Sequence, residues 1–219
     1  MMKAKRSIVI MIFIALFALL AGCNVSHKQT VPEDTDPDSV LQSLYTAEHI
    51  KSVKSAIIEP LNKSSEIEQG IRIYYQYAIL LKGAVDQENK DIANKLYIVT
   101  AVENTQENRE ISVQYIGGSL NGEIRELRPR HKTFQVNACR TESDSPCDSG
   151  DPTSYEAYAV IFSLDEYSAL EEQGNVVDIT VRYALGKNKK ELREQFLSDS
   201  GLQETGKAAV SFQLPAAFH

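Results

Sequence analysis

Thirteen residues pass without a charge between Ile8 and Leu20, behind the basic Lys3, Lys5 and Arg6. A basic start, an apolar run and then the small residues Ala21 and Gly22 is the layout of a secretory signal. The run is too short to span a bilayer, for which a helix needs about 20 apolar residues. From Asn24 to Pro37 apolar residues almost vanish, while two prolines and several charges follow in close order. That composition predicts a disordered tether. A helix is predicted next. Ser39 and Gln42 have capping-box spacing, Asp38 adds negative charge at the helix start, and Val40, Leu41, Leu44 and Tyr45 form one apolar stripe. The stripe fades towards Ile57-Ile58 and stops at Pro60, leaving residues 62–70 as a polar connection.

Beyond residue 70 the period drops from helical to two. Ile71, Ile73, Tyr75, Tyr77 and Ile79 alternate with Arg72, Tyr74, Gln76 and Ala78. The alternation puts Tyr75 and Tyr77 on one face and Tyr74 on the other, which makes Tyr74 the exposed contact of the group. Residues 96–102 form a β-branched run. Ile111-Val113-Tyr115, Phe134-Val136-Ala138, Val177-Ile179-Val181-Tyr183 and Val210-Phe212-Leu214 each alternate with polar residues. These patterns predict half-buried antiparallel strands, since a buried parallel sheet would show continuous apolar runs. Asn121-Gly122 signals a hairpin between residues 112–116 and 123–127. Gly117-Gly118-Ser119 reads as a flexible hairpin loop. Two short helices are predicted among the strands: one capped by Ser163 with Glu166 and stopped at Gly174, the other over 190–197 with Leu192 and Phe196 stacked. No repeat of fixed period occurs. The expected fold is α+β, mainly an antiparallel β-sheet or sandwich with an N-terminal helix and short flanking helices. Residues 38–219 would form a single domain, with a split near Gly117–Gly118 as the alternative.

Composition changes this picture little: 42% of the 219 residues are apolar and there is no Trp. Charge changes it more. The formal net charge is -7, and three basic residues but no acidic ones lie in 1–22, so the remainder carries -10. Such a balance excludes nucleic acid as a partner, because phosphates need Lys and Arg to neutralise them. It also disfavours electrostatic adhesion to anionic lipid.

Leu20-Ala21-Gly22-Cys23 closes the apolar run, and this tetrapeptide resembles the lipobox of bacterial lipoproteins. The resemblance implies that residues 1–22 are a signal peptide, that Cys23 becomes the lipidated first residue, and that residues 23–37 tether the domain to a membrane. Two or three acyl chains are implied, and a single chain would bind only marginally. Asn24 matters for destination: the aspartate that resembles an inner-membrane retention signal is absent there. In a cell with two membranes the anchor would therefore lie in the outer one, facing the periplasm; otherwise it would lie in the outer leaflet of the plasma membrane. The remaining thiols, Cys139 and Cys147, are close in sequence in a chain bound for an oxidising compartment, where such pairs form disulfides. A ring of this size contributes about 2.5 kcal/mol in the chain-entropy model. Cys-X-X-Cys spacing for redox work is missing, as are enough nearby ligands for zinc.

Candidate chemistry is sparse. His27 lies in the tether and His219 is the last residue, while His49 and His131 read as solvated surface. No Gly-X-Ser-X-Gly, Walker-type loop, His-Glu-X-X-His or Gly-X-Gly-X-X-Gly is present. Arg125, Arg128, Arg130 and Lys132 read as a solvated basic turn, as do residues 187–190. Glu142, Asp144, Asp148 and Asp151 crowd one loop around the cysteines but lack the ligand order of an EF-hand. A disulfide-pinned acidic loop is instead a preorganised surface for a basic partner, through Asp144 and Asp148. The expectation is a lipid-anchored, non-enzymatic envelope protein that binds an unknown envelope protein, in an assembly-accessory or immunity-type role, without cofactor or metal. A small-molecule or lipid carrier, with an apolar cavity between sheet and helix, and an envelope hydrolase using paired carboxylates are the alternatives.

Overall fold

The computed structural model describes residues 29–32, 35–122, 130–138, 153–164, 170, 174–187, 192, 206–214 and 218. Among the described residues a helix, α1 (Pro37–Ala47), precedes eleven strands: β1 (Ile50–Ser52), β2 (Ser55–Glu68), β3 (Ile71–Lys82), β4 (Ala84–Asp86), β5 (Asp91–Ile92), β6 (Lys95–Asn104), β7 (Glu110–Leu120), β8 (Arg130–Ala138), β9 (Thr153–Ser163), β10 (Val176–Gly186) and β11 (Gly206–Gln213). They make a five-stranded sheet in the order β2-β3-β6-β9-β8, a three-stranded sheet β11-β10-β7 and a small sheet β1-β4-β5. Every pairing is antiparallel.

Three layers result. One face of the five-stranded sheet packs on the three-stranded sheet, through residues such as Ile73, Tyr75, Ile98, Phe162, Ile179 and Phe212. Its other face carries α1, the small sheet and the N-terminal segment, through Val31, Val40, Leu44, Tyr97, Val99 and Phe134. β6 and β9 lie in the middle and are buried on both sides, so Leu96–Val102 is apolar without alternation although the sheet is antiparallel. The antiparallel sandwich with an N-terminal helix is as the patterns predict. Of the two flanking helices, the first loses its proposed cap, since Ser163 is the last residue of β9, and neither Leu164 nor Leu170 is helical; the rest of both lies outside the described residues, apart from Leu192, which is helical and buried.

Several local expectations are corrected. The helix starts at Pro37, and its cap is Asp36, whose carboxylate accepts from the Asp38 and Ser39 amides, rather than Ser39 itself. It ends at Ala47, where His49 takes a left-handed conformation (φ 57°) and donates its amide to Thr46 O. Residues 55–68 then run as the edge strand β2, Pro60 included. A proline is tolerated there because an edge strand has one side with no ladder to donate to. Gly117-Gly118-Ser119 is no loop but the interior of β7, continuous across the proposed split. A Cβ on Gly118 would sit 2.5 Å from Asp178 O and 3.1 Å from the Phe162 ring, so the glycine lets β7 approach both β10 and the facing sheet. Ser119 Oγ donates to Asp178 across the pair at 3.0 Å. Asn121 and Gly122 do turn the chain with positive φ (54° and 68°), but the strand predicted after them lies outside the described residues.

The reading of 24–37 as a free tether also fails for the described part of that segment. Gln29, Val31 and Thr35 are buried against the sheet. β6 and β9 pair only as far as Ala101 and Ala157 and then part. Gln29 fills the fork. Its Nε2 donates to Val102 O (2.7 Å) and Glu156 O (3.0 Å), its Oε1 accepts from the Glu156 amide (2.9 Å), and its main-chain O accepts from Asn104 N (2.8 Å). A side-chain amide here does the work of a peptide group between two strands.

Candidate functional site

Two bulges set next to each other open the edge of the five-stranded sheet. On β2 the register jumps between Pro60 and Lys63, and on β3 between Tyr75 and Tyr77, where Gln76 is the extra residue. A bulge inverts the face pattern of everything after it. Ile71, Ile73 and Tyr75 point into the sandwich, whereas Tyr77, Ile79 and Leu81 lie on the helix side with Tyr74. Strict alternation therefore gives the wrong partner: Tyr77 shares a face with Tyr74, not with Tyr75.

The opening is a cleft of about 380 Å³ lined by Pro32, Asn62, Lys63, Ser64, Arg72 and Tyr74–Tyr77. Its floor is braced from behind. The Tyr155 hydroxyl lies 3.0 Å from Gln76 Nε2, 3.1 Å from Gln76 Oε1 and 3.4 Å from Thr35 Oγ1. Tyr77 donates to Thr35 O, and Thr35 donates to Pro32 O at 3.1 Å. Burial raises the Tyr155 pKa against the opposing bonds to Thr35 and Gln76, so the hydroxyl keeps its proton at neutral pH. On the wall, Tyr74 is half-buried rather than exposed. Its hydroxyl donates to Glu103 Oε2 (3.3 Å) and receives Arg72 Nη1 (3.4 Å), whose guanidinium lies 5.8 Å from the ring centroid. These contacts fix the ring, so Tyr74 presents an aromatic edge with little rotamer freedom left to lose on binding. Tyr75 turns away, against Phe212. Its buried hydroxyl has no hydrogen bond of good geometry, and burial raises its pKa, with the Ser65 hydroxyl acting weakly the other way.

A second polar cluster lies where α1 meets the sheet. Glu48, with its side chain 6% exposed, pairs with Lys95 at 3.1 Å and Lys132 at 3.1 Å, and accepts from Tyr97 at 3.4 Å. Lys132 also donates to Ala47 O at the helix end. Lys132 is thus a paired residue of β8 and not part of a solvated turn. Burial pushes the Glu48 carboxyl up, but the two lysines outweigh it and hold the pKa below the usual range. This is a docking contact between helix and sheet.

Among the described residues, the cleft is lined by the candidate contact Tyr74 and by its neighbours Tyr75 and Tyr77. Cys23, Cys139, Cys147, Asp144 and Asp148 lie outside the described residues, as do Asn24, His27, Glu142, Asp151 and His219. His49 is exposed at the helix end. Among the described residues no three His, Cys, Asp or Glu side chains gather as metal ligands. Gln29, Gln76 and Glu48 were not foreseeable, because single polar residues leave no periodic signal. Compared with family models, curated proteins and solved structures, the chain matches none.

Proposed function

We propose that the protein is a lipid-anchored, non-enzymatic component of the bacterial cell envelope whose globular domain binds a protein partner at the Tyr74 cleft. The anchor is supported by the lipobox-like Leu20-Ala21-Gly22-Cys23. The binding reading rests on one observation, the braced opening at the paired bulges. A rigid tyrosine edge flanked by Arg72 and Lys63 has the composition of an interface centre, where Tyr and Arg are enriched. The space between sheet and α1, where a carrier would hold an apolar ligand, is filled by side chains such as Val40, Leu44 and Tyr97. The loop with Asp144 and Asp148 is proposed as a second contact surface, pinned by the Cys139–Cys147 disulfide.

Capture from membrane extracts with the domain as bait tests the cleft. Tyr74→Ala should abolish enrichment of a defined partner that the native bait retains, while the domain still folds cooperatively at a lowered thermal midpoint. Asp144→Asn with Asp148→Asn should reduce it in a salt-dependent way. Equal capture by the native bait and both variants would overturn the reading, and co-purification of a small molecule would replace it with a carrier.

A further inference from the structure

Only residues 24–28 separate Cys23 from Gln29. Six Cα steps span at most about 20 Å, whatever their conformation. Gln29 is fixed at one end of the sandwich, bonded to Asn104 at the last residue of β6 and to Glu156 near the start of β9. The β2–β3 turn lies at this end too, because Ile71 pairs with Asn104, and so does the β6–β7 turn, because Asn104 Nδ2 donates to Arg109 O. Lys82 and Lys95 mark the opposite end. The ten residues of β6 place it about 30 Å further away at the usual rise per residue.

We infer that a short leash holds the protein close to its own bilayer with the β2–β3 and β6–β7 turns facing the lipid, and the Lys82 end pointing outwards. This rests on the lipid anchor proposed above. A tether running to Pro37 would allow any orientation; a leash that ends at Gln29 does not. Charge adds no adhesion of its own. Among the described residues, Glu66, Glu68, Glu103, Glu107 and Glu110 outnumber Arg72, Arg109 and Lys187 at that end, and anionic headgroups repel them. The leash alone holds the turns near the surface. Arg72 and Tyr74 are the second and fourth residues of β3, so the cleft lies in the bilayer-near half of the domain, within reach of a partner that is itself at the membrane.

The chain contains no Trp, so one introduced Trp reports one position. Asn108→Trp, in the exposed β6–β7 turn, and Lys82→Trp, at the far end, are compared in the full lipidated protein on phosphatidylcholine vesicles containing dansyl-headgroup lipid. Energy transfer should be severalfold greater from Asn108→Trp. A Gly-Ser insert of about a dozen residues between Val25 and Ser26 should remove most of the difference. Equal transfer without the insert, or greater transfer from Lys82→Trp, overturns the orientation. Flotation with the vesicles, compared with Cys23→Ala, reads the anchor separately. A native chain that does not float overturns the anchor and the orientation with it, whereas a floating chain with equal transfer overturns the orientation alone.

Discussion

The Gln29 amide occupies a place where two strands have stopped pairing, and it satisfies a buried carbonyl on one and partly buried peptide groups on the other. Truncating it removes three side-chain bonds and strands Val102 O and the Glu156 peptide groups. Since buried polar groups left unpaired cost more than a hydrogen bond contributes, Gln29→Ala should destabilise the domain by about 2–3 kcal/mol. Denaturant unfolding with an unchanged m-value checks this. Gln29→Glu should be worse, because a carboxylate would face two carbonyl oxygens. Gly118 is the opposite kind of residue, needed for what it lacks. Gly118→Ala forces β7 away from Asp178 O and Phe162, and overpacking of this sort costs about 1–3 kcal/mol. A midpoint within experimental error of the native one would mean that β7 shifts freely. Neither residue could be read from sequence. A glutamine among Ser, His and Lys looks solvated, and a glycine pair looks like a turn until its neighbours across the sheet are known.

Among the elements, α1 is held by its apolar stripe and by the Glu48 pair, and the pair makes its docking depend on pH. The folded pKa of Glu48 is below its unfolded value. Its stabilisation is therefore complete above the ordinary glutamate range, near pH 4.3, and is lost as pH falls through the lower folded value. Glu48→Gln should cost about 2 kcal/mol at neutral pH, less than a fully buried pair because Lys132 stays 34% exposed. That deficit should shrink in acid, as melting curves of both proteins between pH 7 and pH 3 would register. Glu156 has the contrary sign: burial raises its pKa despite the bond from Tyr158. Glu156→Gln should accordingly raise the melting temperature at neutral pH and lose that advantage in acid. Elements with one wet face, such as β10 and β11, show their period in the sequence. β2 does not, because an edge strand with two bulges, Pro60 and charged residues at Glu59, Lys63 and Glu66 alternates imperfectly and resembles a loop. The β3 bulge at Gln76 likewise leaves a pattern that looks regular while the faces exchange.

For the whole molecule, the consequence is where the folded domain begins. Composition sets the boundary at Asp38, since residues 24–37 carry too few apolar side chains to order themselves. Val31, Gln29, Thr35 and the Asp36 cap are nevertheless part of the fold, because the sheet supplies the burial that the segment cannot supply alone. A chain starting at Asp38 should melt well below one starting at Asn24, by roughly 10 °C or more, given the loss of the Gln29 bonds and the cap together. Equal melting temperatures would show that the segment adds nothing. The sandwich class was legible because layers impose period two on their outer strands. The layering of helix, sheet and sheet was not, because burial on both faces erases the period in β6 and β9. The cleft depends on register, which no single strand encodes.

The fork that receives Gln29 also orders events in time. Its contacts bridge separations of 73 and 127 residues, so the slot does not exist until β9 has been added to β6. Seating Gln29 is then a late step on the folding path, and a late contact changes the unfolding rate while leaving the folding rate alone. Gln29→Ala should speed unfolding by about 30- to 150-fold and leave the refolding arm of the chevron where it was. Gln29 itself thus stays unseated through synthesis and collapse, and takes its place only once β9 lies beside β6.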